Sequence, residues 1–413
     1  MRATLSALAH SHGPPPSTPA APLRLPEPLR RLLAGVVGAF VLVTLVALVV
    51  LWPPPTPRDR TGGLGTPVDL VDATVTAAPV VPCRSALPGV DLVCRDVTAR
   101  LDSGPEKGGT TTLDITESPD QPTLREGDRI ILGRAADPGQ PVAYFFSDFQ
   151  RRMPLLALGL LFAVAVVGLA RWRGLAALVG LGVSLFVLVR FVLPAILVGE
   201  NALAAAVVGA AVIALLIIYL THGISARTTT AVLGTLVALA LTAGLAVAFV
   251  EATKLTGLSS EEGTYLRGVL GSTIDLRGML LAGIVIGALG VLNDVTVTQA
   301  SAVWEIYRAN PAVEVGHLYR SAMQIGRDHI ASTVDTLVLA YAGAALPLFV
   351  IFTVADRRLG DVITGEIVAQ EIVQTLVGSL GLIAAVPVTT WLAAAVVTRM
   401  VPAPAGPAPA PGS

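Results

Sequence analysis

The chain has 413 residues, of which 53% are hydrophobic and only 14% are charged, and its formal net charge at pH 7 is −1. A soluble domain carries about 25% charged residues, so a water-soluble fold could not bury this much apolar surface. Nucleic-acid binding is not expected, because phosphate contacts need clustered Lys and Arg and the chain has no basic tract.

The first apolar stretch covers residues 32–52 and follows three arginines. A signal peptide has an apolar core of roughly 7–15 residues, so this longer stretch predicts an uncleaved transmembrane anchor. Residues 1–31 before it are expected to form a disordered cytoplasmic tail. The Pro- and Gly-rich residues 53–66 after it are expected to form a linker.

Residues 67–150 are the only polar stretch long enough to fold on its own. Apolar and polar side chains alternate over residues 93–101 and 113–116, as expected of half-buried strands, and turn-forming residues separate these runs. We therefore predict a small extracytoplasmic β-rich domain, either a barrel or a sandwich.

The two cysteines, Cys83 and Cys94, both fall in this β-rich domain. If the domain faces an oxidising exterior, a disulfide between them is expected, and closing so short a loop would contribute roughly 3 kcal/mol of stability. The alternative is two unrelated buried thiols. A zinc site is not expected, because two cysteines with no nearby histidine fall short of four ligands.

Residues 151–399 contain seven further apolar windows, each close to the length of about 20 residues that crosses the hydrocarbon core. They predict a seven-helix transmembrane domain and, with the anchor, a membrane α-helical bundle of about eight transmembrane helices. Residues 400–413 are expected to form a disordered Pro/Ala tail. With the anchor counted as the first window, the second to eighth windows cover residues 154–170, 174–198, 202–220, 229–250, 278–300, 332–354 and 372–398.

The basic residues predict the orientation, since short cytoplasmic loops hold an excess of Lys and Arg. With the N-terminus inside, the inner segments carry eleven arginines and the short outer loops carry five basic residues. Arg151 and Arg152, at the outer end of the second window, oppose this arrangement. Both termini are therefore expected in the cytoplasm of a bacterial cell, with residues 53–150 outside the cell membrane.

The sixth window runs into a polar stretch that contains Asp294, Thr298, Ser301 and Glu305. These residues recur at spacings of four, three and four, so they share one face if the helix continues. A central Asp facing lipid costs about 2.5–3.5 kcal/mol. This face is therefore expected to turn into the bundle or toward a water-filled cavity.

The seventh window adds Asp335 near its start. Asp294 and Asp335 are both expected in the cytoplasmic half of the bilayer, where they could form a cation site or share a proton. The alternative is that each carboxylate caps a helix, meets Arg327 or His329, or lies in the interfacial region. Whether a metal binds stays open. The residues predicted to line a pathway beside the two acids are Asn293, Thr298, Ser301, Glu305, Ser332 and Thr333.

The sequence contains no Walker loop, no HExxH motif, no GxSxG motif and no dinucleotide-binding fingerprint. We therefore expect no enzyme activity and no cofactor. Intramembrane proteolysis stays open by residue type alone, because two acids on adjacent helices can also act as general acid and base.

Three segments resemble the YibE/F-like family of bacterial multi-pass membrane proteins: GALGVLNDVTVTQAS at 287–301, GRDHI at 326–330 and TLVLAYAG at 336–343. The resemblance covers roughly residues 125–398. It implies a multi-pass membrane protein with an exported N-terminal domain, and it transfers no catalytic or binding residue to this chain.

These observations predict a secondary transporter or permease-like protein for a small solute or ion, with Asp294 and Asp335 as coupling carboxylates. The lack of a convincing internal repeat weakens this prediction, because many transporters contain repeats. The alternative is a non-transporting envelope scaffold whose external β domain binds a secreted or cell-wall partner. The lipid bilayer is an expected partner in both cases.

Overall fold

The computed structural model describes residues 23–54, 69–82, 93–118, 122–135, 141–259, 261–270, 274–354 and 358–402. The chain forms two compact units. The helical unit comprises Met1–Pro54, Gly180–Gly263 and Asp275–Ser413, and the sheet unit comprises Pro55–Val179 and Thr264–Ile274.

Long apolar helices dominate the chain. Six helices in the described part are long and apolar enough to cross a membrane, or seven if the bent pair formed by the eighth and ninth helices is one span. This agrees with the predicted membrane helical bundle. The helices are α1 (Glu27–Val50), α2 (Arg152–Val187), α3 (Leu193–Leu197), α4 (Ala202–His222), α5 (Ala226–Ala252), α6 (Glu261–Leu270), α7 (Leu276–Ala309), α8 (Val315–Ala344), α9 (Leu346–Val354), α10 (Leu359–Thr364) and α11 (Glu366–Val397).

Helix α2 continues through a π-helical turn, Leu188–Val192, into α3, so that one apolar element of 46 residues results. This element is interrupted at Arg171, whose φ of 54° and ψ of −128° are not helical. The reversal there is sharp, because a Cβ added to Gly174 would lie 2.9 Å from the carbonyl carbon of Val166. In a continuous helix these two residues would be about 12 Å apart along the axis.

Helix α8 begins at Val315 and continues without interruption to Ala344. Only three of its residues are fully buried, namely Leu318, Ala322 and Gly326, which form one stripe with a spacing of four. The chain bends by 59° where α8 gives way to α9. The bend therefore lies at Ala345, inside the predicted seventh window.

Contacts between α5, α7 and α11 define the centre of the helical unit. Helices α5 and α11 run antiparallel, since Gly234 lies against Thr389 and Thr242 lies against Gly381. Glycine at these positions allows the two backbones to approach closely, as is common where membrane helices pack.

At one end of the helical unit, the starts of α1, α5 and α8 meet the ends of α7 and α11. Leu33 of α1, Leu233 of α5 and Leu318 of α8 belong to one buried cluster there, together with Trp304 and Val397. This arrangement fits helices that alternate in direction along the chain.

The sheet unit contains the predicted β-rich domain as a six-stranded antiparallel sheet. The strands β3, β4, β2, β6 and β7 are neighbours in that order, and β5 pairs with β4. A separate pair of two-residue strands joins β1 to β8 near the two ends of the described chain. The strands are β1 (Leu23–Arg24), β2 (Asp69–Ala77), β3 (Val80–Pro82), β4 (Val93–Leu101), β5 (Thr110–Thr116), β6 (Arg129–Ala135), β7 (Ala143–Phe149) and β8 (Val401–Pro402).

The core of the sheet follows the alternation that the sequence shows, because successive side chains of a strand point to opposite faces. In β2 the buried residues are Val71, Ala73 and Val75. In β4, Val97 and Ala99 are buried in the same way.

An ion-pair cluster ties the turn before β5 to strands β6 and β7. The Arg134 guanidinium donates to both carboxylate oxygens of Glu106, at 3.0 and 2.8 Å, and the Tyr144 hydroxyl donates to the same carboxylate at 2.7 Å. The hydrogen bond from Arg134, with that from Tyr144, lowers the pKa of Glu106 to about 2. Burial and the Glu106 carboxylate raise the pKa of Tyr144.

Cys94 is buried in β4, whereas Cys83 lies outside the described residues. The disulfide between them therefore stays a prediction. Pro82, which precedes Cys83 in the sequence, pairs with Val93, which precedes Cys94. Most of the predicted linker and of the two predicted tails also lies outside the described residues.

Candidate functional site

Helix α7 continues to Ala309, so the polar residues identified in the sequence lie along one helical face. Asp294, Thr298 and Glu305 are exposed, and Ser301 is half-buried. Three exposed glycines extend this face toward the start of the helix. We call it the α7 stripe, and its members are Gly283, Gly287, Gly290, Asp294, Thr298, Ser301 and Glu305.

The opposite side of α7 is apolar and buried, which explains the orientation of the helix. Ile284, Leu292 and Val295 are fully buried against neighbouring helices. Burial of a large aliphatic side chain is worth about 1.5–3 kcal/mol in water, and in lipid the same packing supplies dispersion energy. The apolar side is therefore held inside the unit, and most residues of the α7 stripe stay exposed within a single chain.

Asp294 lies opposite His329 of α8. The distance between Asp294 Oδ2 and His329 Nε2 is 3.9 Å, the Asp294 side chain is 72% exposed, and the His329 side chain is 33% exposed. This distance allows an ion pair when the imidazole is protonated, but it is too long for a direct hydrogen bond. The gap thus leaves both groups able to bind a third species.

Two buried side-chain atoms in this part of α7 and α8 lack a hydrogen-bond partner among the described residues. They are His329 Nε2 and the side-chain oxygen of Asn293. A buried polar atom without a partner costs about 1–3 kcal/mol, so such atoms usually face a water, an ion or a ligand. Asn293, Asp294 and His329 together supply two oxygen groups and one nitrogen, which suit a proton or a small cation.

Asp335 does not occupy the position opposite Asp294 in the structure. It lies six residues after His329 on α8, which places it about 9 Å further along the axis and about 240° around it. Asp335 is exposed, and so is Ser332. Thr333 is half-buried, and its hydroxyl donates to the His329 carbonyl oxygen at 2.7 Å. The proposed meeting of Asp294 and Asp335 therefore stays a prediction.

A second set of polar residues lies on the inner side of α7, and the sequence analysis did not single it out. Gln299 is buried, and its amide nitrogen donates to the Ala322 carbonyl oxygen at 2.9 Å and to the Thr390 hydroxyl oxygen at 2.7 Å. The hydroxyls of Thr296 and Thr235 are 2.6 Å apart. These contacts tie α7 to α5, α8 and α11.

One signal in the sequence points to this inner set. Gln299 is an uncharged polar residue in an otherwise apolar helix, and such residues face the bundle interior by default. The spacing of four, three and four between Asp294, Thr298, Ser301 and Glu305 favoured the other face of α7. A search of the sequence for charged residues therefore finds the exposed side of α7, whereas the polar residues that connect the helices are uncharged.

The described residues contain no group of three or more His, Cys, Asp or Glu side chains that could hold a metal ion. The site around Asp294 is thus limited to one carboxylate, one imidazole and neutral oxygens. Such a set can bind and release a proton, or coordinate a cation that keeps part of its water shell. It does not resemble a structural zinc site, which uses four nitrogen or sulfur ligands.

The apolar helices, the small sheet and the polar stripe in a long apolar helix define a membrane-embedded helical protein that carries a separate β domain. The model of the YibE/F-like protein family matches residues 158–399, which is more than half of the chain. The chain therefore belongs to the YibE/F-like family, as its sequence motifs predicted. No curated protein and no solved structure matches the chain.

Proposed function

We propose that this protein is a secondary transporter or permease-like protein for a small solute or ion. The observation that carries the proposal is the contact zone of Asp294 with His329. The Asp294 carboxylate and the His329 imidazole are 3.9 Å apart there, and the His329 Nε2 atom has no hydrogen-bond partner among the described residues.

The length of the α7 stripe supports a pathway. Gly283 and Glu305 are 22 positions apart in one helix, which corresponds to about 33 Å along the axis. The hydrocarbon core of a bilayer is about 30 Å thick. The α7 stripe is thus long enough to extend through the hydrocarbon core, and Asp294 lies near the middle of the stripe.

Within this proposal, Asp294 is the coupling carboxylate and His329 is the side chain that faces it. Asp335 is kept as the second coupling carboxylate. Asp335 lies on α8, and in this proposal it is coupled to Asp294 through a movement of α8 or through intervening water. Asn293, Thr298, Ser301, Glu305, Ser332 and Thr333 line the pathway.

We further propose that the chain crosses the membrane eight times. An unbroken helix of 46 residues would be about 69 Å long, more than twice the thickness of the hydrocarbon core. The non-helical Arg171 and the close approach of Gly174 to Val166 support two spans in this element. If α8 and α9 form one bent span, the total is eight and both termini are on the same side.

The excess of arginines on the side of the termini then places both termini in the cytoplasm and residues 53–150 outside the cell. The gathering of Leu33, Leu233 and Leu318 at one end of the helical unit supports this alternation of directions.

The test is flux in proteoliposomes that contain the purified full-length protein. An imposed gradient of protons or of sodium or potassium ions should drive flux in wild-type vesicles, and Asp294→Asn should abolish it. Asp328→Asn is the matched control, because Asp328 is an exposed carboxylate of α8 that is not part of the α7 stripe. Wild-type vesicles that behave like empty ones under every gradient would contradict the proposal, as would full flux in Asp294→Asn.

A second candidate is an envelope scaffold whose β domain binds a secreted or cell-wall partner. A cleft of about 290 Å³ in that domain favours it, since charged and hydroxyl side chains line the cleft, among them Arg95, Thr116 and Glu117. Photocrosslinkers placed around this cleft should capture one specific partner. Retention of the cellular phenotype after deletion of residues 67–150 would rule out the scaffold role.

A further inference from the structure

A basic cleft lies at the end of the helical unit where the chain termini meet. Its volume is about 600 Å³. Five segments form it: the residues before α1, the first turn of α1, the α4–α5 connection, the C-terminal end of α7 and Met400, three residues after α11. Because distant parts of the chain build it, the cleft is a feature of the tertiary fold.

The charge of the cleft is strongly positive. Four arginines line it, and Glu27 is the acidic residue in its lining. Arg30 is paired with Glu27 at 2.8 Å, but both side chains of this pair are more than half exposed. Exposed pairs of this kind are worth about 0–1 kcal/mol, so Arg30 can exchange Glu27 for a stronger anion.

Two further arginines are uncompensated. Arg24 and Arg227 form no ion pair with any described residue, although both face the cleft. The fourth, Arg308, is 3.1 Å from Glu305, again in an exposed pair. An arginine fork suits the planar, bidentate recognition of phosphate or carboxylate oxygens, so the cleft presents several donors to one anion.

The start of helix α5 adds backbone donors to the same cleft. Ser225 is the N-cap of α5 and accepts the Thr228 N–H at 3.1 Å, while the backbone N–H groups of Ala226 and Arg227 lie in the first turn. A helix N-terminus carries about half a positive charge and favours phosphate. This terminus and the arginines therefore act in the same direction.

The inner wall of the cleft is apolar. Trp304 is only 4% exposed, and Leu25 and Met400 pack against the buried cluster to which it belongs. A single phosphate ion fills only a small part of 600 Å³, so the apolar wall leaves room for an uncharged group attached to the phosphate. The cleft also lies at the ends of α1, α4, α5 and α7, which is the depth of lipid headgroups if these helices cross the bilayer.

We propose that the basic cleft binds a phosphate group, carried either by an anionic phospholipid headgroup or by a soluble phosphate compound. The proposal is independent of the transport proposal. No member of the α7 stripe lines the cleft, and the stripe contacts it only through Glu305, the partner of Arg308. Arg24 and Arg227 are the residues expected to contact the phosphate directly.

The experiment uses the full-length protein in detergent and two probes. One is dioctanoyl phosphatidylglycerol, which represents the lipid headgroup, and the other is inorganic pyrophosphate, which represents soluble phosphate. Each is titrated while the melting temperature is recorded, because a ligand that binds the folded state raises it. A saturable rise with the lipid alone assigns a headgroup site, and a saturable rise with pyrophosphate assigns a soluble ligand.

Variants then test whether the cleft is the site. Arg227→Gln and Arg24→Gln should each weaken the apparent affinity for the active probe by about tenfold or more, since a charge-assisted hydrogen bond is lost. Arg320→Gln is the control, because Arg320 is an exposed arginine of α8 that does not line the cleft. Size-exclusion profiles identify any variant that fails to fold. Arg24→Gln is the variant expected to disturb helix packing least, because Arg24 lies before α1.

Two results would overturn the proposal. The first is that neither probe gives a saturable rise in the melting temperature of the wild-type protein. The second is that Arg320→Gln weakens binding as much as Arg227→Gln and Arg24→Gln do, which would mean that the probe senses overall surface charge.

Discussion

The contact between Gly381 of α11 and Thr242 of α5 gives a quantitative test of the central helix packing. A Cβ added to Gly381 would overlap the hydroxyl oxygen of Thr242. It would also lie 3.1 Å from the Cβ of Thr242. The Thr242 hydroxyl also donates to the Ala238 carbonyl oxygen at 2.8 Å. Thr242 therefore cannot yield without loss of that hydrogen bond.

The cost of Gly381→Ala follows from three contributions. Overpacking of a filled interior costs about 1–3 kcal/mol, and loss of the Thr242 hydrogen bond costs about 0.5–1.5 kcal/mol. The higher helix propensity of alanine returns about 0.5–1 kcal/mol. The net destabilisation is thus about 0.5–4 kcal/mol, which lowers the melting temperature by about 1–16 °C at about 2–4 °C per kcal/mol.

The assay is thermal unfolding of the purified protein in one detergent, with four variants: Gly381→Ala, Thr242→Ala, their double variant and Gly244→Ala. Gly244→Ala is the matched control, since Gly244 lies in α5 and an added Cβ there meets nothing within 4 Å. In the double variant Gly381→Ala with Thr242→Ala, the loss should be smaller than the sum of the two single losses, because the clashing hydroxyl is gone. The reasoning is refuted if Gly381→Ala melts with the wild-type protein, or if Gly244→Ala is equally destabilised.

Three further predictions concern other parts of the chain. The pKa of Glu106 is lowered to about 2, so its ion pair with Arg134 stabilises the folded protein above pH 4.5, and this contribution is lost as the pH falls toward 2. The melting temperature of the wild-type protein, measured by circular dichroism, should therefore fall more steeply over this pH range than that of Glu106→Gln. Thiol alkylation of the unfolded, non-reduced protein should label neither Cys83 nor Cys94, and labelling of both before reduction would contradict the disulfide. Gln299→Leu should lower the free energy of unfolding by about 0.5–2 kcal/mol, because two interhelical hydrogen bonds are lost. An unchanged melting curve would mean that these hydrogen bonds make no net contribution to stability.

The sequence predicted the existence and the order of the long helices well, because about 20 consecutive apolar residues are a direct consequence of bilayer thickness. The starts and ends were predicted less well. The first window was placed at residues 32–52, whereas α1 covers Glu27–Val50. Its first turn contains Glu27 and two arginines, and hydropathy does not register charged residues that extend a helix beyond the membrane.

The inward and outward faces of the helices could not be predicted from the pattern. In a soluble protein the polar side of a helix faces water, but lipid and bundle interior are both apolar, so the hydrophobic periodicity that marks a buried face is lost. In α7 the acids Asp294 and Glu305 are exposed in a single chain, while Gln299 and Thr296 are buried. Tertiary packing against α5 and α11 decides between these faces.

The two polar faces of α7 differ in how completely they are satisfied, and this difference separates packing from function. On the inner face, Gln299 and Thr296 find partners on neighbouring helices. On the outer face, the charged partner of Asp294 within the described part of the chain is His329, at 3.9 Å, and the His329 Nε2 atom has no hydrogen-bond partner there. A helix that needed polar groups only for packing would have no reason to keep a carboxylate on the side that costs about 2.5–3.5 kcal/mol against lipid. Under the proposed function this cost is avoided, because the outer face meets water, an ion or another polar surface.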